Sequence, residues 1–288
     1  MSDPTERAEL IREEQRKEWT VSAAGWERPR KLVTAADDPV TDALLALAGI
    51  GSGQRVLDLA CGNGNPGLAI AGRVGAAGQV LGLDLSDGMV NAARAVVQEL
   101  NIRNAEFRTV ADELHLDVPP ASFDAATCRF GLMFMPDPAA ALRAVHAALK
   151  PGGRVAVSTW GDPARVAFIG IPYRAVLRHV PIPPFGPGTP GPLALSSAVT
   201  LRSTLEAGGF VDVEVTVRET ITDEVESPAA FWDHLIRTAG PLRRVTESVP
   251  AETVAAIRAD VIETLQYMFP EGPVRLKGEA LVAAGRKA

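Results

Sequence analysis

Cysteine is almost missing from this 288-residue chain, with Cys61 and Cys128 the only two. Two thiols are too few for a disulfide framework or a zinc cage, so no metal site is expected and a reducing, cytoplasmic compartment fits. An excess of basic charge is missing as well. The 29 Lys and Arg stand against 35 Asp and Glu, a net charge of −6 with no basic run. A nucleic-acid partner requires a phosphate-neutralising face, which this balance does not supply. No stretch approaches the roughly 18 consecutive apolar residues of a membrane span. The segment from Met1 to Lys17 is charged throughout, unlike a signal peptide. A soluble, unexported protein that engages neither nucleic acid nor membrane is expected.

What is present reads as an ordinary globular chain, 47% apolar and 22% charged. Its length suits one large domain with insertions, or a domain plus a cap. Proline is the one abundance, at 22, with six between Pro181 and Pro192 alongside Gly186, Gly188 and Gly191.

From Arg55 onward, short apolar runs alternate with helical patterns. Strands are predicted at Arg55 to Leu59, Gln79 to Asp84, Ala105 to Val110, Phe123 to Cys128 and Arg154 to Trp160. Helices are predicted from Pro66 to Arg73, from Asp87 to Leu100 and from Pro138 to Leu149. Strands separated by helices of this length form a parallel sheet, because each crossover needs the helix. A charged helix from Thr5 to Trp19 and a second from Pro39 to Ala48 precede this core. After it come a helix around Pro172 to His179, one from Ser197 to Ala207, and an alternating strand from Val211 to Arg218. The segment Ala280 to Arg286 offers that strand an antiparallel partner, with a helical cap between them.

The sharpest motif is Asp58-Leu-Ala-Cys-Gly62-Asn-Gly64-Asn-Pro66-Gly67, with Asp84 twenty residues beyond Gly64. As a glycine pattern it also fits a dinucleotide site. Two neighbours oppose that. Asp58 would repel a diphosphate and attract an ammonium, and Pro66 removes one N–H that a pyrophosphate would use. Both favour a nucleoside carrying an amino-acid cation, which is S-adenosyl-L-methionine (SAM).

At this point the chain resembles the class I SAM-dependent methyltransferases, in the bacterial group related to the ubiquinone/menaquinone C-methyltransferases. The resemblance runs from about Pro39 to Trp160 and rests on five blocks in order. These are Val56 to Gly64, Leu81 to Met89, Ala111-Asp112-Glu113, Ser122-Phe-Asp124 and Leu149-Lys-Pro-Gly-Gly153. It implies a doubly wound, mostly parallel seven-stranded α/β sheet, capped by the N-terminal helices and by an insertion between the last two strands. It divides the chain into lid helices (1–50), a SAM-binding core (51–162), a Pro/Gly-rich acceptor-side segment with a helix (163–210), and the last two strands (211–288) with a cap inserted at 220–272.

The resemblance also assigns roles. Asp58 balances the ligand ammonium, and the loop residues Ala60, Cys61, Gly62, Asn63 and Gly64 line the methionine part. Asp84 accepts both ribose hydroxyls, Met89 or Leu85 packs on the adenine, and Asp112 with Glu113 forms the adenine block. Arg129 and Phe130 line the sulfonium end. Asp84 could instead be a plain helix cap, a role for which Ser86 and Asp87 compete. Arg129 could be a structural ion pair. His179 and His234 fall in the acceptor-side regions and are the candidate general bases; Trp19 and Trp26 are candidates for a lid. Methyl transfer to a small-molecule acceptor is the implied activity, with O-, N- and C-methylation all open and a homodimer allowed. The other reading is a SAM-binding protein with lyase, cyclase or binding duties on the same fold.

Overall fold

The computed structural model describes residues 3–23, 38–181 and 189–288. Trp26 and most of the proline-rich run, residues 182–188, lie outside the described residues.

Seven strands form one sheet in the order β3-β2-β1-β4-β5-β7-β6. The central strand β1 (Arg55–Leu59) is parallel to β2 (Gln79–Asp84) on one side and to β4 (Phe123–Arg129) on the other. Next, β3 (Ala105–Thr109) continues the sheet beyond β2, and β5 (Leu149–Trp160) continues it beyond β4. Four helices fill the crossovers and flanks: α2 (Pro39–Leu47), α3 (Gly67–Val74), α4 (Asp87–Glu99) and α5 (Pro138–Ala148). Apolar side chains leave both faces of the central strands because both faces are covered. Val56, Val80 and Ala125 meet α2 and α3 on one face, while Leu57, Leu81 and Ala126 join the core that includes α5 on the other. Strand order reverses between β1 and β4, and at such a switch point the crossovers leave in opposite directions, opening a crevice at the C-terminal strand ends.

The other half departs from the sequence expectation. β6 spans Val211–Val225 and β7 spans Val274–Arg286, far beyond the predicted Arg218 and Ala280 limits. β7 runs antiparallel to β5, with Trp160 opposite Ala280. Past that point β6 and β7 continue as a two-stranded ribbon, pairing Glu219 with Glu279 and Val225 with Val274. Residues 219–225 are mostly polar and show no apolar alternation, so their extended form rests on pairing with β7 and on contacts with the cap, such as Val225 packed against its core. The ribbon carries α8 (Pro228–Thr238), α9 (Gly240–Ser248) and α10 (Ala251–Met268). Phe231, Trp232, Ile257, Val261, Leu265, Val274 and Leu276 form the cap's own core. α6 (Ala167–His179) packs there too and begins five residues before Pro172, which sits inside the helix. Proline usually marks a first turn, which is why the earlier start was hidden. Finally, α7 (Ala198–Ala207) lies against β6 and β7, and α1 (Pro4–Ser22) lies against α4 and α9.

Candidate functional site

The crevice at the ends of β1, β2 and β4 is built from two buried carboxylates and the loop between β1 and α3. Ala60, Gly62 and Gly64 turn this loop with φ of 55°, 54° and 99°. At Gly64 a Cβ would also press on Leu68 and Ala93, at 3.1–3.3 Å, so a left-handed turn and close packing both require glycine there.

Asp58 is wholly buried and accepts a 2.8 Å hydrogen bond from Thr127 Oγ1 at its Oδ1. Its Oδ2 has no hydrogen bond of good geometry, although the Gly67 amide lies close enough to draw the acid's pKa down. Burial dominates and pushes that pKa up to about 7. Asp84 accepts from Gly62 N at Oδ2 and from Ser86 N at Oδ1, both at 2.9 Å. It therefore ties the glycine loop to the tip of β2, and burial raises its pKa as well. Helix α4 is capped by Ser86, whose Oγ accepts from Met89 N. Asp84 is thus not the cap, and each of its oxygens keeps a lone pair for a ligand. Met89 is buried and Leu85 half-buried beside it, while Cys61, Asn63 and Ala60 stay in the loop wall.

Further out, Asp112 accepts from Leu114 N, His115 N and His115 Nδ1 at 2.8–3.0 Å. Burial alone would raise its pKa, but these hydrogen bonds outweigh it and hold the carboxyl below the usual range. Glu113, expected beside it in the adenine block, turns to α1 and takes a bidentate ion pair with Arg12 at 2.7–3.1 Å. Arg129 is drawn to Asp38, the N-cap of α2, at 2.6 Å, with its guanidinium 5.0 Å above the Phe130 ring. Phe130 holds φ of 56° and stacks on Trp160, ring centroids 4.0 Å apart.

The expected lid segment includes α1, whose individual contacts with the crevice rim and the cap were not legible in the sequence. Besides Arg12, Arg16 donates to Ala111 O at 2.6 Å, Thr20 and Ser86 share a 3.0 Å hydrogen bond, and Trp19 meets Phe134 edge-on at 5.3 Å. Glu18 pairs with Arg244 of α9 at 2.6 Å, and its carboxylate packs on Gly240, where no Cβ would fit. Burial raises the Glu18 pKa despite that arginine. Gln15, Glu18 and Ser22 are the buried face of α1. Spacings of three and four carried the signal, but with polar residues in place of apolar ones.

The two histidines are not brought together. His179 Nε2 sits 3.0 Å from Asp260, which also pairs with Arg178. His234 Nε2 lies 3.4 Å from Asp223 on the ribbon; burial pushes Asp223 up to about 7 and His234 down, so both tend to neutrality. Both cysteines are buried, and burial raises their thiol pKa values, that of Cys128 to about 12, which leaves no thiolate nucleophile. Among the described residues no three His, Cys, Asp or Glu side chains gather as a metal site, and no helix is long and apolar enough to cross a membrane.

Residues 56–153 match the model of a methyltransferase domain family. A demethylmenaquinone methyltransferase of Listeria welshimeri is 33% identical over 142 residues, 49% of this chain and 59% of that protein, so the chain spans well under two thirds of that relative's length. The demethylmenaquinone methyltransferase of Lactobacillus johnsonii is 30% identical over 173 residues, 57% of this chain and 71% of that protein. The crystal structure of the YcgJ protein from Bacillus subtilis aligns with a TM-score of 0.56 at 19% identity, covering 86% of this chain and 97% of that one, and shows the same fold. With the strand order, the glycine loop and these sequence matches in agreement, the chain belongs to the class I SAM-dependent methyltransferases, in the group that contains the quinone methyltransferases.

Proposed function

We propose that the protein transfers the methyl group of S-adenosyl-L-methionine to a small-molecule acceptor. The observation that carries this is the pair of buried carboxylates, Asp58 and Asp84, at the ends of neighbouring parallel strands with the left-handed glycine loop between them. A diphosphate would meet two buried acids at that edge. A nucleoside with an ammonium supplies what the site lacks, because the buried Oδ2 of Asp58 has no hydrogen bond and a cationic donor would satisfy it.

Bound there, the cofactor supplies a methyl group on a positively charged sulfur, open to in-line displacement. The chain's part is positioning and exclusion of water. Asp84 accepts the two ribose hydroxyls on its remaining lone pairs. Leu85 and Met89 flank the adenine, and Asp112 accepts from its amino group. Ala60, Cys61, Gly62, Asn63 and Gly64 leave room for the methionine chain, and Glu113 contributes by fixing α1 through Arg12. Residues 51–162 form the cofactor core, with 1–50, 163–210 and the cap within 211–288 covering the acceptor. A base is required only for an acceptor that must lose a proton. The candidate bases are His234, half-buried beside Asp223, and His179, which shares Asp260 with Arg178.

The test is incubation with labelled cofactor and a panel of acceptors: a demethylated quinol, as the relatives' names suggest, then phenols, carboxylates and amines. Methyl transfer to any of them, with release of the demethylated cofactor, supports the reading and identifies the acceptor atom. Tight cofactor binding without turnover on the whole panel favours lyase, cyclase or binding duties. Tight NAD binding with no SAM affinity overturns the cofactor assignment.

A further inference from the structure

β6 is the outermost strand of the sheet, and among the described residues no strand lies beyond it. Which of its backbone groups face outward follows from the ladders. The Gly161 N–H donates to Glu279 O and the Lys287 N–H to Gly153 O, so the odd-numbered residues of β7 turn their backbone groups to β5 and the even-numbered ones to β6. β6 meets these with Thr216 opposite Val282 and Arg218 opposite Ala280. The N–H and C=O groups of Val215, Val217, Glu219 and Ile221 are therefore directed away from the sheet.

An open edge is a template for another chain, and folded proteins blunt it with bulges, charges or covering side chains. Both ends of β6 are blunted in this way. The register shifts between Val211 and Glu214 and again between Ile221 and Asp223, and Arg202 of α7 donates to Val213 O. The regular stretch between the two shifts is covered only from within the strand: Arg218 Nη1 donates to Val217 O at 2.8 Å and Thr220 Oγ1 to Ile221 O at 3.5 Å. Val217 and Ile221 stay 53% and 44% exposed.

We infer that this edge pairs with the β6 edge of a second copy of the chain, antiparallel about a two-fold axis through Val217. A two-fold contact must be complementary to itself, and this stretch is. Val217 meets Val217, and Val215 meets Glu219 in both directions, each pair exchanging backbone hydrogen bonds through the outward groups. On the opposite face Arg218 stands diagonal to the second copy's Glu214, which accepts from Arg154 at 2.8 Å and keeps acceptor capacity. Other registers are worse. An axis through Arg218 sets guanidinium against guanidinium, one through Glu219 sets carboxylate against carboxylate, and one through Thr216 runs the pairing into the shift before Glu214.

The test is the oligomeric state of the full chain by sedimentation velocity at micromolar concentration, where the wild type is expected to be a dimer. Val217→Pro removes an N–H that β7 does not use, which an edge strand tolerates. It is expected to be a monomer with unchanged circular dichroism. Should it not fold, Val217→Lys decides, since it leaves the backbone whole and sets two cations across the axis. Val217→Cys reads the register: opposed Cα atoms of a hydrogen-bonded pair lie about 5.5 Å apart, within disulfide reach. Oxidation is expected to link two chains through it, and not through the buried Cys61 and Cys128. A monomeric wild type overturns the proposal. So does a dimer that persists in the variant that folds, or one that Val217→Cys does not cross-link.

Discussion

The half of the sheet from β1 to β4 and the half from β5 to β7 solve the problem of buried polar groups in opposite ways. In the first half, strands of five to seven residues end in carboxylates whose partners are backbone amides and a threonine, with Asp58 left short of one. In the second, strands of 12 to 15 residues run past the edge, and the elements they support are tied by side-chain ion pairs such as Arg178 with Asp260. Among the described residues the unpartnered buried atoms Asp58 Oδ2 and Arg129 Nε lie at the ends of β1 and β4, and one more, Glu18 Oε1, lies against Gly240 of the cap. Buried capacity without a partner is costly unless something binds.

The comparison breaks most visibly at Asp84. Asp84→Ala removes the ribose acceptor and also strands the Gly62 and Ser86 amides. The expected outcome is a loss of SAM affinity of at least tenfold by calorimetry; unchanged binding would sink the ribose assignment. Asp58 tests the same half through pH. Burial pushes its carboxyl up to about 7, and only the ionised form attracts the ammonium. Affinity should then fall about tenfold for each pH unit below that point, and Asp58→Asn should flatten the profile. An equally steep profile in the variant would place the titrating group elsewhere.

Arg12→Ala tests the link between the halves. It leaves Glu113 buried without its partner, so faster amide exchange across α1 is expected, with a several-fold weaker cofactor affinity and unaltered exchange in β1 and β4. Exchange unchanged in α1 would mean that its other contacts suffice. The smallest effect is expected from Asp223→Asn in the ribbon. Burial raises the folded-state pKa of Asp223 from 3.8 to about 7. Its contribution to stability is therefore complete below about pH 4 and is lost as pH rises toward 7. The variant should show a shallower decline of urea-unfolding stability over that window, with cofactor affinity changed less than twofold. A tenfold affinity change would show that the cap's interior reaches the cofactor.

The first half was legible because its signals are local. Apolar runs mark strands covered on both faces, and the Asp58 to Gly67 loop and Asp84 carry chemistry within a few residues of their strand ends. The second half was not. Residues 219–225 have no apolar face, so their pairing with Val274 to Glu279 depends on a partner some fifty residues away. Pro172 hid the start of its helix. The inward face of α1 is polar, and nothing near Arg12 in sequence announces Glu113. Arg129 was legible as a residue of interest, and the competing ion-pair reading was sound as well. What the sequence could not convey is that Asp38 occupies one corner of the guanidinium and leaves another open.

The stack of Phe130 on Trp160 has a mechanical consequence. Trp160 is the last residue of β5 and is laddered to Ala280, from which β7 continues in reverse into the ribbon under the cap. Phe130 follows Arg129 directly at the end of β4. The cap and the end of β4 are thus joined through one ribbon and one ring stack, and a tilt of the ribbon that disturbed the stack would be read as a change in Trp160 fluorescence.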